Sequence, residues 1–423
     1  MGSATSGPVQ TTWSAPSNIA LIKYWGKRDA LLNLPINSSM SMTLSSADLC
    51  AKTTVTLSPA FISDRLWLNG VEVKIEGNAR VTAVLKELRK RAGGKTAVEA
   101  GEGVSAVPAI SCDTIRTWCA HIVSRNSFPT AAGLASSAAG YAALVASLAD
   151  ALGVVEAYEG ELSGVCRRGS GSASRSLSGG FVEWRMGSRI DGKDSIARPV
   201  APRAHWPSIR VIIAVVSAKK KAVGSTDGMA RSVETSALLR HRALNLVEPR
   251  LALAKKAVMA CDFAGLAEMS MADSNQFHAT CLDTFPPVFY LNDISRRIIL
   301  LVHALNAAEG ATVAGYTFDA GPNAVLFTDG PRAAALLLAA LKAHFPSEAA
   351  GYVTGVALAE VDGLGLKDLH ETLAPSDPLP GALSHIYATL LGDGAVKEAA
   401  SLADATTGLP LDTTTDESLD TGL

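Results

Sequence analysis

No apolar run in this 423-residue chain reaches the length of a membrane-spanning helix. No charge of one sign prevails: Lys and Arg number 38 against 40 Asp and Glu, a formal charge of −2. A polycation that coats nucleic acid is thereby excluded, and neither nucleic acid nor membrane is expected as a partner. The one tight basic run, Lys219-Lys220-Lys221, reads as a solvated loop that could also steer an anionic substrate. The six cysteines (Cys50, Cys112, Cys119, Cys166, Cys261, Cys281) include no C-x-x-C pair and follow no secretory segment. Reduced thiols and a cytoplasmic location are expected from that. The eight histidines are scattered without metal-ligand spacing, so metal ligands stay unassigned. A Walker phosphate loop is missing too. Gly94-Lys95-Thr96 imitates its end, but Arg89 stands where its first glycine belongs. Met1-Gly2-Ser3-Ala4-Thr5-Ser6 fits a myristoylation pattern formally, but no polybasic second signal follows, and lipidation is not expected.

What the chain does have is apolar residues, at 48%, enough for a full core and a length suited to two domains. The expected division is 1–205 and 206–395. Residues 396–423 turn Thr/Asp-rich, lose periodicity and read as a flexible tail. Ser39 to Leu44 alternates polar and apolar, the pattern of a half-buried strand. Val55-Thr56-Leu57 and the Arg65–Gly70 run suggest a hairpin. Residues 78–91 read as a helix with Val81, Val84, Leu85 and Leu88 on one face, and 92–108 as a mobile loop. Further on, 209–216 is an apolar strand. Helices are expected over 226–260, 262–279, 292–308 and 332–344, and strands over 312–318 and 324–328. Strands and helices in tandem without strict alternation point to an α+β fold.

Three segments carry chemistry. Arg168-Gly169-Ser170-Gly171-Ser172-Ala173-Ser174-Arg175-Ser176 sets hydroxyls and small residues between two arginines. Glycine allows the backbone to approach a ligand, hydroxyls donate to phosphate oxygens, and a guanidinium grips an oxyanion with two parallel bonds. A plain linker is the competing reading. Phe128 to Gly140 leaves a strand (121–128) through a Gly/Ser turn and enters an Ala/Leu-rich helix over 138–152. Such a helix start offers free N–H groups and a positive dipole end to an anion, although a serine cap alone would look similar. Gly315 to Ala324 ends an apolar strand in Asp319 within a Gly-Pro turn, either a turn former or a base delivered into a cleft.

In this order the segments resemble the GHMP kinase superfamily, whose phosphate loop, Pro-x-x-x-Gly-Leu-x-Ser-Ser-Ala-Ala, matches Pro129 to Ala139. Within it the chain is similar to the mevalonate diphosphate decarboxylases. Ala15 through Asp29, Asn33-Leu34-Pro35, Ser38-Ser39-Met40-Ser41 and Leu66-Trp67-Leu68-Asn69-Gly70 carry that likeness. The resemblance implies a two-domain fold, with an N-terminal half like ribosomal protein S5 domain 2 and a ferredoxin-like C-terminal half. It implies ATP-dependent decarboxylation of mevalonate 5-diphosphate to isopentenyl diphosphate in isoprenoid and sterol biosynthesis, with Mg²⁺ and a homodimer. By the same resemblance Asp319 is the catalytic carboxylate, Arg175 grips the substrate carboxylate, and Lys23 joins them. Asn18, Tyr24, Trp25, Gly26, Lys27, Arg80, Ser170, Gly171, Ser172, Ala173, Ser174 and Thr226 are implied substrate contacts. Pro129, Gly133, Leu134, Ala135, Ser136, Ser137 and Ala138 are implied ATP contacts. Ala131 and Ala135 stand where many superfamily kinases place glycine, so adenosine contacts are unassigned.

Two other readings stand beside this one. A small-molecule kinase of the same superfamily would transfer phosphate without decarboxylation, but its usual early Gly-Glu-His-type segment and glycine-rich third motif are replaced here. A catalytically dead paralogue would bind without turnover, against the presence of Asp319, Arg175 and the phosphate loop together.

Overall fold

The structure, a computed structural model, describes residues 7–97, 108–127, 136–216, 222–362 and 373–412. Three larger sheets and the helices packed on them form a mixed α+β architecture. One six-stranded sheet runs Val396–Lys397, Val9–Pro16, Cys50–Ser58, Cys119–Asn126, Arg65–Leu68, Val71–Val73. The helix Ser136–Ala151 lies on its central strands. Its alanines let it approach closely, and nearly every side chain from Ala138 to Ala151 is buried. The helix Ala79–Lys90 has the expected face: Val81, Val84, Leu85 and Leu88 are buried, and Asn78 caps it by accepting from the Val81 N–H.

A four-stranded sheet, Ala197–Ala201, Phe181–Trp184, Ser39–Thr43, Asn18–Ile22, connects the two halves. Its edge strand Asn18–Ile22 touches the long helix Phe263–Asp283. Beyond it, a five-stranded sheet runs Ala314–Phe318, Ala324–Asp329, Ile209–Val215, His385–Leu390, Val353–Thr354. One apolar cluster continues from Ile19, Met40 and Phe181 through Ile212 and Leu326 to Leu337, so the core crosses position 205 without a break. The helix Phe263–Asp283 touches the edge strands Asn18–Ile22 and Ala314–Phe318 of two separate sheets, and the ends of those strands meet beside it. That is where the candidate site forms.

Several expectations need correcting. Val55 to Leu57 makes no hairpin with Arg65–Leu68, because Cys119–Asn126 inserts between them, antiparallel to the first and parallel to the second. The hairpin instead joins Arg65–Leu68 to Val71–Val73, with Leu68 opposite Val71. Its two-residue turn is Asn69-Gly70, both at positive φ (49° and 84°), the chemistry that matches strand twist. Ser39–Thr43 is buried on both faces, and on its polar side Ser39 meets Arg175 while Thr43 donates to the Ser178 carbonyl. The 226–260 helix is interrupted: Ser236 caps a new start, and Arg242–Leu246 forms a π-turn.

Residues 396–412 are no flexible tail. Lys397 pairs opposite Trp13, Leu402 and Ala403 pack with Trp67 and Val123, and Arg125 grips Asp412 at 2.7 Å. Periodicity fails to reveal this segment because it docks by scattered anchors. Residues 413–423 lie outside the described residues, as do 98–107 of the expected mobile loop, whose near end is tied by backbone hydrogen bonds between Lys95 and Ile110.

Candidate active site

Lys23 follows the strand Asn18–Ile22, and Asp319 follows the strand Ala314–Phe318. The two strand ends meet: Lys23 Nζ lies 2.7 Å from Asp319 Oδ1. The ammonium side chain is 3% exposed and the carboxylate 42%, so the pair offers its acidic partner to solvent or ligand. Burial lowers the Lys23 pKa, opposed by the neighbouring Asp319 and Asp273 carboxylates and reinforced by the Arg175 charge. The Thr317 hydroxyl donates to the Ala20 carbonyl at 3.2 Å and helps hold the two strands in register.

Arg175 closes the short turn Gly171–Arg175 and is buried. Its Nε donates to Asn18 Oδ1 at 3.1 Å and its Nη1 to Ser39 Oγ at 2.8 Å. Burial pushes the guanidinium pKa down to about 10, with Asp319 and Tyr24 acting in opposition. The Asn18 amide in turn donates to Ser172 O (2.9 Å) and Ser176 Oγ (2.8 Å), fastening the serine turn to the sheet. Gly171 is required by packing. A Cβ there would stand 2.8 Å from the Trp184 ring and 3.0 Å from the Tyr24 ring. Tyr24 meets Trp184 edge-on at 4.7 Å, and its buried hydroxyl finds no partner among the described residues.

Hydroxyls continue from this turn to the start of the helix Ser136–Ala151. Ser172 Oγ is 3.3 Å from Ser170 Oγ, which is 3.3 Å from Ser137 Oγ. Ser136 and Ser137 thus open the helix beside the serine turn, where N–H groups and dipole favour an anion. Pro129, Gly133, Leu134 and Ala135 lie outside the described residues. Ala138 is fully buried, so its side chain packs.

Other sequence candidates divide. Lys27 is half-buried, and burial with the nearby Arg80 charge lowers its pKa to about 8. Arg80 donates to Thr226 Oγ1 at 3.0 Å, an exposed contact that joins two candidates from opposite halves. Gly26 has φ +95°, and a Cβ would strike Ile36 at 2.7 Å. The Trp25 indole belongs to the core: it packs on Phe277 and Tyr290, and its N–H donates to Ser232 Oγ at 2.9 Å. Ala173 packs with the sheet core, and the Ser174 hydroxyl is used up on the Gly171 carbonyl at 2.8 Å. Those three side chains support the site from behind.

Sequence reading missed the residues that support the pair. On the helix Phe263–Asp283, Asp273 accepts from the Lys23 N–H at 2.7 Å and Ser274 accepts from the Phe318 N–H at 3.0 Å. His278, one helical turn beyond Ser274, bonds the Phe318 backbone, and burial holds its imidazole down to about 3, hence neutral. The available signal was an aspartate three residues from Ser270 and four from Phe277, on the buried face. Among the described residues no three His, Cys, Asp or Glu side chains gather as a metal cage.

The mixed α+β architecture is that of the GHMP kinase fold. Its solved relatives agree: mevalonate diphosphate decarboxylase from Trypanosoma brucei superposes with a TM-score of 0.82 at 36% identity, over 92% of this chain and 98% of that one. A structure described as MDDEF in complex with MVAPP, AMPPCP and magnesium gives 0.69 at 30% identity, over 93% and 100%. Family models for the diphosphomevalonate decarboxylase-like N-terminal domain and the mevalonate 5-diphosphate decarboxylase C-terminal domain match residues 15–197 and 211–397. Diphosphomevalonate decarboxylase of Rattus norvegicus is 50% identical over 93% of this chain and 94% of its own length, and that of Homo sapiens 51% over 90% and 92%. The chain belongs to the diphosphomevalonate decarboxylase family.

Proposed function

We infer that this chain catalyses the ATP-dependent decarboxylation of (R)-5-diphosphomevalonate to isopentenyl diphosphate, with ADP, phosphate and carbon dioxide as the other products. The observation that carries the reading is the Lys23–Asp319 contact at 2.7 Å in a site shared with the buried Arg175. The substrate's tertiary 3-hydroxyl is a poor nucleophile and a poor leaving group. Asp319, half open beside Lys23, accepts or orients its proton as phosphate is added. When phosphate leaves, positive charge develops at C3, and the same carboxylate stabilises it. Arg175 holds the substrate carboxylate in line with the bond that breaks, a task for a planar fork. Lys27, and Arg80 with Thr226, supply the diphosphate contacts.

ATP is held by Ser136 and Ser137 at the start of the helix Ser136–Ala151 and by the Pro129–Ala138 loop, while Ser170 and Ser172 contact the substrate. The 3.3 Å step from Ser137 Oγ to Ser170 Oγ supports bringing the two ligands side by side, since each hydroxyl can donate to a phosphate oxygen. Mg²⁺ on the phosphates supplies charge neutralisation and needs no cage of protein ligands. A homodimer and a cytoplasmic location complete the proposal, as does reading residues 1–205 and 206–395 as the S5-like and ferredoxin-like domains. To test it, the purified chain with ATP and Mg²⁺ is offered mevalonate, its 5-phosphate and its 5-diphosphate in turn. ADP and carbon dioxide released together, with the diphosphate alone, are expected, and ADP without carbon dioxide from any of the three would select a plain kinase.

Two further results are expected. As pH rises through about 8, Lys27 loses its proton and its attraction for a diphosphate, so kcat/KM falls on that limb. A bound dianion holds the proton on, so kcat keeps no such limb, and Lys27→Arg moves the limb out of range. A kcat/KM profile unchanged by Lys27→Arg would remove Lys27 from the site. Ser137→Ala is expected to raise the KM for ATP with melting nearly unchanged. Were the hydroxyl only a cap, its loss would cost about 0.5–2 kcal/mol of stability and leave ATP kinetics intact.

A further inference from the structure

We propose that the buried Arg242–Asp273 pair is a positioning device that fixes the main chain of Lys23, and through it the Lys23–Asp319 contact. This rests on the decarboxylase reading for its assay and on geometry for its argument. Both side chains are fully buried. Arg242 Nη1 donates to Asp273 Oδ1 at 2.6 Å and Nη2 to Oδ2 at 2.7 Å, the parallel fork of a strong charged pair. Taking such a pair out of water is costly, and apolar residues of the same volume often serve stability equally well. A structural role alone therefore explains its presence poorly.

Beyond its contacts with Gln276 and Arg250, the pair bonds both main-chain polar groups of Lys23. Asp273 Oδ2 accepts from the Lys23 N–H at 2.7 Å, and Arg242 Nη2 donates to the Lys23 carbonyl at 3.2 Å. Asn37 Nδ2 adds a second donor to that carbonyl at 3.0 Å. Lys23 lies just past the last paired residue of its strand, where its N–H and C=O have no ladder partner. In a buried place those groups would otherwise go unsatisfied. The pair supplies what a neighbouring strand would, while leaving the side chain free to reach Asp319.

The same helix registers the other half of the contact. Ser274, next to Asp273, accepts from the Phe318 N–H, one residue before Asp319. Adjacent positions of one rigid helix thus hold both strand ends. Arg242 enters from the π-turn Arg242–Leu246, a local widening of the kind that re-aims a side chain at functional sites. Arg250 and Gln276 finish the shell: Arg250 Nη1 reaches Asp273 Oδ1 at 3.2 Å and Gln276 Oε1 at 2.6 Å.

The test compares two full-length double variants that both lack the buried pair. Arg242→Met with Asp273→Asn keeps an oxygen for the Lys23 N–H, and Arg242→Met with Asp273→Leu removes it. Turnover, the KM values for ATP and substrate, and thermal melting are measured for each beside wild type. A displacement of roughly 1 Å at a reacting group costs on the order of 10²-fold, so kcat of the leucine variant is expected to fall by about 10–10²-fold. The asparagine variant, which keeps one of the pair's two bonds to Lys23, should fall below wild type but less than the leucine variant, with KM values alike in both. Equal kcat in the two variants, or failure of both to fold, would overturn the proposal and leave the pair a support of the core. Wild-type turnover in the same assay separates that outcome from failure of the decarboxylase reading, which would show as no carbon dioxide from any of the three.

Discussion

Asp319→Asn is expected to lower turnover of mevalonate 5-diphosphate by about 10²–10⁴-fold, the usual worth of a positioned general base. The side chain is 42% exposed and sits beyond the last residue of its strand, so the near-isosteric change should leave folding alone. An asparagine oxygen can still accept from Lys23 Nζ, which preserves the contact while removing the charge. Substrate affinity, measured by calorimetry, should therefore change far less than kcat. Were Asp319 a turn former only, asparagine would serve as well, since both residues suit turns. Turnover near that of wild type would remove the catalytic assignment of Asp319.

Arg175→Lys carries the second large effect, although it conserves formal charge. The guanidinium divides its bonds among Asn18, Ser39 and the ligand it faces, and a single ammonium cannot span them. Losing one charged hydrogen bond, worth about 1.5–3 kcal/mol, corresponds to about 10–10²-fold in rate. Burial adds to the loss. It brings the arginine down only to about 10, whereas a lysine starts lower and, like Lys23, is pushed further toward its neutral form. Steady-state kinetics with a melting curve would check this. Unchanged kcat and KM in a folded Arg175→Lys protein would exclude Arg175 from the site.

Much of the site was legible in the sequence because its parts are local. The serine turn, the helix entered through Ser136 and Ser137, and Asp319 at a strand end are each a short run with its own chemistry. Helices with a clear apolar face were legible for the same reason, as Val81, Val84, Leu85 and Leu88 show. What stayed hidden depends on residues far apart in the chain. Asp273 meets Lys23 across 250 positions, and Arg242 reaches it across 219. A buried charge pair has no spacing rule. Trp25 reads as a ligand contact within its motif, but only its neighbours Phe277 and Tyr290 show that it packs. Strand partners were equally obscure: nothing local says that Cys119–Asn126 inserts beside Arg65–Leu68, or that Val396–Lys397 returns to the first strand. The Asn69-Gly70 turn is a local signal that the expected Val55–Leu57 hairpin passes over, since its type follows from its two residues.

The central claim is that phosphoryl transfer and loss of carbon dioxide occur in one site. The most direct measurement follows mevalonate 5-diphosphate carrying isotopic carbon in its carboxylate, with ATP and Mg²⁺, counting labelled carbon dioxide and ADP in the same reaction. One carbon dioxide for each ADP throughout the time course, both lost together in Asp319→Asn, is the predicted result. ADP formed without carbon dioxide, or carbon dioxide released without ATP, would contradict the account.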